Sequence, residues 1–189
     1  MPVKKVKTST AVFVTLAGVS FIVLLLIFSI RVYNQNPSYY NPGKGSKGEK
    51  IYSGLAEYDF INAYPETPEE VIEINNKIMI FLYGNILADT SKIAEVLEFQ
   101  RNIFSDGLNG LNTLESQIEN TVGSFNEFSN EGVYVLDVKS GSVKYTSKDD
   151  DMCSVILTFY FNNIESIKKQ YNLVRGADNK WKIDSWLDL

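Results

Sequence analysis

The chain contains no histidine and a single cysteine, Cys153. Without an imidazole, Ser-His-Asp and Cys-His catalysis and histidine-liganded metals are excluded. One cysteine allows neither an intrachain disulfide nor a zinc cluster of the usual Cys and His spacing. It stands in Cys153-Ser154-Val155-Ile156-Leu157, an apolar, strand-like run with nothing nearby in sequence to act as an activating base. The expectation is a small core hydrophobe. Asp149-Asp150-Asp151 lacks the loop glycine and terminal glutamate of a calcium hand and reads as a hairpin turn rather than a cation site. No cofactor fingerprint is present, so no cofactor, no metal and no catalytic residues are assigned, and the expectation is a protein that is not an enzyme.

Acidic residues are almost missing from the first fifty positions, where seven Lys and Arg face Glu49 alone, a net of +6. Residues 51 to 189 reverse this, with eleven basic and twenty-two acidic side chains and a net of −11. An acidic domain repels phosphate backbones, so no nucleic-acid partner is expected. The same balance gives no overall attraction to an anionic bilayer, and reads as a solvated acidic surface.

What the chain does have is one long apolar run. Ala11 to Ile30 holds twenty residues without a charge, Thr15, Ser20 and Ser29 being its hydroxyl groups. At about 1.5 Å per residue a helix of that length spans about 30 Å, the thickness of a bilayer's hydrocarbon core. A transmembrane helix is therefore expected over 11–32, making the lipid bilayer a partner through Ala11 to Ile30. Lys4, Lys5 and Lys7 keep the tail 1–10 in the cytoplasm by the positive-inside rule, while Arg31 and the later lysines argue the other way. The localisation expected is a single-pass cell-membrane protein, N-terminus cytoplasmic and C-terminal domain extracytoplasmic. A cleaved signal peptide is the rival reading, but the run is long for one and Phe28-Ser29-Ile30-Arg31 offers no small-x-small site.

Residues 33–50 carry Pro37, Pro42, Gly43, Gly45 and Gly48 and read as a linker, with Tyr33, Tyr39 and Tyr40 suited to the headgroup level. The domain is placed at 51–189, with Ile51 to Tyr64 joining it as a short helix or docking segment. Thr67-Pro68-Glu69-Glu70 has the form of a capping box with proline at the first helical position, and predicts a helix from Pro68 to about Tyr83 with Val71, Ile74, Ile78 and Phe81 inward. A second helix is expected over Ser91 to Phe104, stopped by Asp106-Gly107. A third begins at Asn112, with Leu114, Ile118, Val122, Phe125 and Phe128 as a core stripe.

From Gly132 the period changes to two. Strands are expected over Val133 to Tyr145, broken or bulged at Ser140-Gly141-Ser142, then Met152 to Asn162, Ser166 to Arg175, and Lys180 to Leu187 after a turn at Gly176-Ala177-Asp178-Asn179. Short connections imply antiparallel pairing. The fold class expected is α+β: the N-terminal transmembrane helix, then about three helices packed on one face of a curved antiparallel sheet of about four strands.

Three helices followed by such a sheet resembles the nuclear transport factor 2-like superfamily, also called ketosteroid-isomerase-like or cystatin-like. More closely, Tyr64-Pro65-x-Thr67-Pro68-x-Glu70-Val71 and Lys180-Trp181-Lys182-Ile183-x-x-Trp186 are similar to a family of small single-pass bacterial membrane proteins of unknown function. That resemblance implies an extracytoplasmic domain and carries over no catalytic residues. It also implies a conical pocket, which Tyr134, Tyr145, Tyr160, Asp137 and Glu57 are candidates to line. The function expected is a membrane-anchored binding or interaction module working with an envelope or membrane protein or a small ligand. The alternative is an isomerase or lyase using a pocket carboxylate and a tyrosine.

Overall fold

The computed structural model describes residues 47–84, 91–146 and 149–189. Five helices come first: α1 (Lys47–Ala56), α2 (Pro68–Tyr83), α3 (Ser91–Asn102), α4 (Asp106–Leu111) and α5 (Leu114–Glu131). Five strands follow: β1 (Val135–Ser140), β2 (Lys144–Tyr145), β3 (Met152–Phe161), β4 (Ile167–Arg175) and β5 (Trp181–Asp188). The chain is thus α+β with an antiparallel sheet of order β1-β3-β4-β5, β2 pairing with β3 beside β1.

This corrects the expected architecture of a transmembrane helix, about three helices and about four strands. There are five described helices and five strands, and among the described residues no helix is long and apolar enough to cross a membrane. The expected transmembrane segment, 11–32, lies outside the described residues. One extra helix is α1, which starts at Lys47 within the stretch read as linker. The other is α4, where Asp106-Gly107 was expected to end a helix. Instead Ser105 Oγ accepts the Leu108 amide at 3.0 Å, and a new short helix starts there. The fifth strand comes from the break after Ser140, which leaves β1 and β2 as separate partners of β3.

Helix α2 forms where the capping box requires it. Thr67 Oγ1 accepts the Glu70 amide at 3.2 Å, and Glu70 Oε2 accepts the Thr67 amide at 3.2 Å, so two otherwise unpaired donors are satisfied. Pro68 occupies the first turn, where its missing N–H costs nothing. Helix α5 is capped by Thr113 rather than Asn112, and ends at Gly132, whose φ of 63° is the left-handed conformation that glycine adopts without strain.

The core lies between the helices and one face of the sheet. Val71, Ile78, Ile93, Val96, Leu157, Leu173 and Ile183 are all fully buried there. Each such aliphatic side chain contributes about 1.5–3 kcal/mol relative to exposure. Strand β3 shows the division directly. Cys153, Val155, Leu157, Phe159 and Phe161 are buried, while the residues between them face away. A sheet covered on one side gives this alternation. The α5 stripe departs from expectation: Phe128 is buried, but Leu114, Ile118, Val122 and Phe125 are only half-buried. Helix α5 packs mainly against α3 and α2 and meets the sheet through Phe128, whose ring lies 6.3 Å from that of Phe161, so the rest of its stripe meets fewer neighbours than a helix lying on the strands.

The α3–α4 joint is fixed to β5. The Ser105 amide donates to Ile183 O at 2.8 Å, and the Ile183 amide donates to Ile103 O at 2.8 Å. Ser105 Oγ also donates to Asp184 Oδ1 at 2.7 Å. These bonds cover part of the β5 edge that would otherwise present unpaired backbone groups.

Candidate functional site

Helices α1 and α2 enclose a groove of about 450 Å³. Lys47, Lys50, Ile51, Gly54 and Leu55 line it from α1, Tyr58 lies just beyond, and Ile74 and Lys77 complete it from α2. The α1 spacing alternates between three and one, which places these positions on one helical face. Leu55 and Ile74 are buried and form the apolar floor. A Cβ at Gly54 would meet nothing within 4 Å, so the groove is open at that point.

Charge surrounds this floor in a definite pattern. Lys77 Nζ pairs with Glu73 Oε1 at 2.8 Å, four residues earlier on α2. The Tyr58 hydroxyl is pushed above its usual value first by burial and then by the charge of Glu70. An apolar floor with ammonium groups at the rim suits an apolar group flanked by an acid. It supplies no nucleophile for covalent chemistry.

The residues singled out for a pocket are scattered. Asp137 and Tyr160 come together as directly opposed positions of β1 and β3. They stand on the uncovered face of the sheet, with Tyr160 40% exposed. Tyr145 is at the opposite end of β3, its ring 6.1 Å from that of Trp181. Glu57 is exposed just past α1, and Tyr134 precedes β1, its amide donating to Asn162 Oδ1 at 2.9 Å. The helix-covered face holds packed side chains where the conical pocket was expected. Cys153 is buried at 2% exposure. Burial, and secondarily the charge of Glu69, raise its thiol to about 11. Such a thiol is inert at neutral pH. Asp150 has a φ of 52° within the connection that carries the three aspartates, and the Arg175 amide donates to Asp151 O at 2.7 Å.

A buried polar network was not foreseen. Gln100 Nε2 donates to Asn75 Oδ1 at 3.2 Å, and Gln117 Nε2 donates to Gln100 Oε1 at 3.2 Å. Arg101 extends the chain, donating to Gln117 Oε1 at 3.1 Å and to Asn109 O at 2.9 Å. These side chains link α2, α3, α4 and α5. On the sheet below, Tyr171 interacts with Asn75, and its hydroxyl is pushed upward, chiefly by burial. The signal available in sequence was polar residues at inward helical positions, Asn75 beside Ile74 and Gln100 beside Leu97. Nothing local distinguishes a satisfied structural amide from a ligand contact. Here every link named goes to another part of the protein, the structural role, while the buried Asn75 Nδ2 has no hydrogen-bond partner among the described residues.

No curated protein and no solved structure matches the chain. The family described as "Domain of unknown function (DUF6715)" matches residues 1–186, and the chain belongs to that family.

Proposed function

We propose that this protein is a binding module attached to the cell membrane, with its α+β domain on the extracytoplasmic side, and that the α1–α2 groove receives an amphipathic segment of an envelope or membrane protein. Attachment is through Ala11 to Ile30, whose uncharged length suits a bilayer. The observation that carries the reading is the groove itself. Its floor is apolar, and Lys47, Lys50 and Lys77 give it a basic rim on an otherwise acidic helical layer. An apolar helix face with a flanking acid fits such a groove by anchors three and four residues apart.

The resemblance to the nuclear transport factor 2-like superfamily belongs to the same proposal. Its support is the gathering of helices on one face of a bulged antiparallel sheet. The isomerase or lyase alternative draws less support. Asp137 and Tyr160, the acid and tyrosine that lie together, are on the open face rather than in a cavity, and Leu157, Leu173 and Ile183 fill the opposite side of the sheet.

A photoreactive amino acid in place of Tyr58, activated in intact membranes, tests the proposal. Recovery of one membrane or envelope protein, repeatedly and at a defined segment, supports it. Crosslinks to lipid or to the protein itself alone contradict it.

A further inference from the structure

The net negative charge of the domain sits in one layer. Residues 47–131, the helical part, contain fifteen acids and five bases, whereas residues 132–189 contain eight of each. The net of −10 thus belongs to the helices, and the sheet is neutral overall. Within the sheet, the strand register sorts the charges further.

Directly paired residues on neighbouring strands share a face. Lys139 is opposite Thr158, and Thr158 is opposite Lys168 on its other side. The three make one row across β1, β3 and β4, with strands about 4.8 Å apart. Lys144 is opposite Ser154 on the same face. All three lysines are exposed. Asp137 is the acid among these paired positions, and its Oδ1 already accepts the Val138 amide at 2.9 Å. Between the lysine rows lies Ile156, opposite Gln170, while Met152 and Tyr160 flank the rows at the two ends of β3 and Leu187 lies opposite Gln170 on β5; these three are 47%, 40% and 44% exposed. The Lys139 ammonium lies 5.5 Å from the Tyr160 ring centroid. The open face is therefore basic and amphipathic, opposite an acidic helical layer.

We propose that this sheet face docks on the surface of an anionic bilayer, with the helical layer and its groove turned away from the lipid. The proposal goes beyond the groove reading but rests on attachment through Ala11 to Ile30. Charge complementarity selects the occupant. Two copies packed sheet to sheet would set Lys139 and Lys168 against their counterparts, which like-charge repulsion opposes. The length of chain also favours lipid: sixteen residues separate Ile30 from Lys47. At full extension they reach at most about 58 Å, so the tether keeps the domain within reach of the bilayer surface. Each lysine near an anionic leaflet then strengthens docking by roughly five-fold. The acidic layer is repelled by the same surface, which fixes which side faces down.

The test uses the full chain reconstituted into vesicles of phosphatidylcholine alone or with one third phosphatidylglycerol. Amine-reactive labelling is read lysine by lysine, with Lys77 and Lys92 of the helical layer as internal references. The expected result is at least about a three-fold fall in labelling of Lys139, Lys144 and Lys168 on the anionic vesicles, reversed by high salt, with the references unchanged. K139E/K168E should restore labelling of Lys144 while the chain still floats with the vesicles. Equal labelling on both compositions overturns docking and leaves attachment standing. Failure to float with either composition overturns attachment, and docking with it. Protection that depends on protein concentration and not on lipid charge assigns the face to the acidic layer of a second copy, and also overturns the proposal.

Discussion

Lys169 Nζ lies 2.7 Å from Asp188 Oδ1, joining directly paired positions of β4 and β5 on the helix-covered face. The lysine side chain is 5% exposed and the aspartate 23%. Burial lowers the ammonium's proton affinity, and Asp188 partly restores it. D188N leaves a buried cation uncompensated and should destabilise by about 2–4 kcal/mol, the lower part of the range for buried pairs because Asp188 is partly wet. K169M/D188L should recover most of that loss. Urea unfolding of wild type, D188N and K169M/D188L measures both effects, and a double variant no more stable than D188N would show that the pair does not act as a unit.

Buried tyrosines should make the fold sensitive to alkali. The Tyr83 hydroxyl is pushed up to about 12 by burial, from the usual 10, and Tyr64 and Tyr171 are raised in the same sense. A phenol whose folded value exceeds its unfolded value stabilises fully below the unfolded value. That contribution is lost as pH rises from 10 through the folded value. Lys169 works oppositely, since its folded value lies below 10.5 and stability gains as pH rises toward that point. Lys182 is lowered in the same way as Lys169, but the raised phenols, Tyr58 and Tyr145 included, outnumber these two ammoniums and give a net loss above pH 10. Tyr83 alone accounts for up to about 2 kcal/mol of it. Unfolding midpoints recorded from pH 8 to 12 should fall above 10, and Y83F should flatten the decline.

The α2 cap gives a local prediction. T67A removes the oxygen that accepts the Glu70 amide. The cost should be about 1 kcal/mol, with T67S close to wild type. Thermal unfolding of the two variants provides the comparison, and equal losses would show that the methyl group rather than the hydroxyl matters at this position.

Helix α2 could be read from sequence because its start signal is local: Thr67, Pro68 and Glu70 make their bonds within one turn. The spans of β3 and β4 were legible in the same local way, but the run Val155 to Phe161 reads as apolar on both faces, so the side that β3 turns inward was not. Helix α4 was not legible. Asp106-Gly107 is locally a stop, and the deciding bonds run from Ser105 to Leu108 and to Asp184, on a strand far along the chain. Lys169 lies at an inward position between Lys168 and Gln170, but its partner is nineteen positions later on another strand. The pairing of Asp137 with Tyr160 depends on the register shift between Val135 and Asp137, which period-two reading does not supply. The groove was hidden differently. Lys47, Lys50, Ile51, Gly54 and Leu55 already had helical spacing, but the glycines and lysines before Ile51 read as linker, and the groove exists only once α2 packs beside α1.

The central claim, that the α1–α2 groove receives a partner segment, is tested most directly by filling it. At Gly54 an added Cβ meets nothing within 4 Å, and glycine in a helix costs roughly 0.5–1 kcal/mol relative to alanine, so G54A should fold at least as well as wild type; G54F, whose ring reaches further into the groove, is compared with it by thermal unfolding. G54A, which adds little volume, is the control. Crosslinking from position 58 in intact membranes should recover the same partner with wild type and G54A, and lose at least about 90% of it with G54F, the loss expected of 1.4 kcal/mol or more in affinity. Undiminished recovery with a folded G54F would contradict the account.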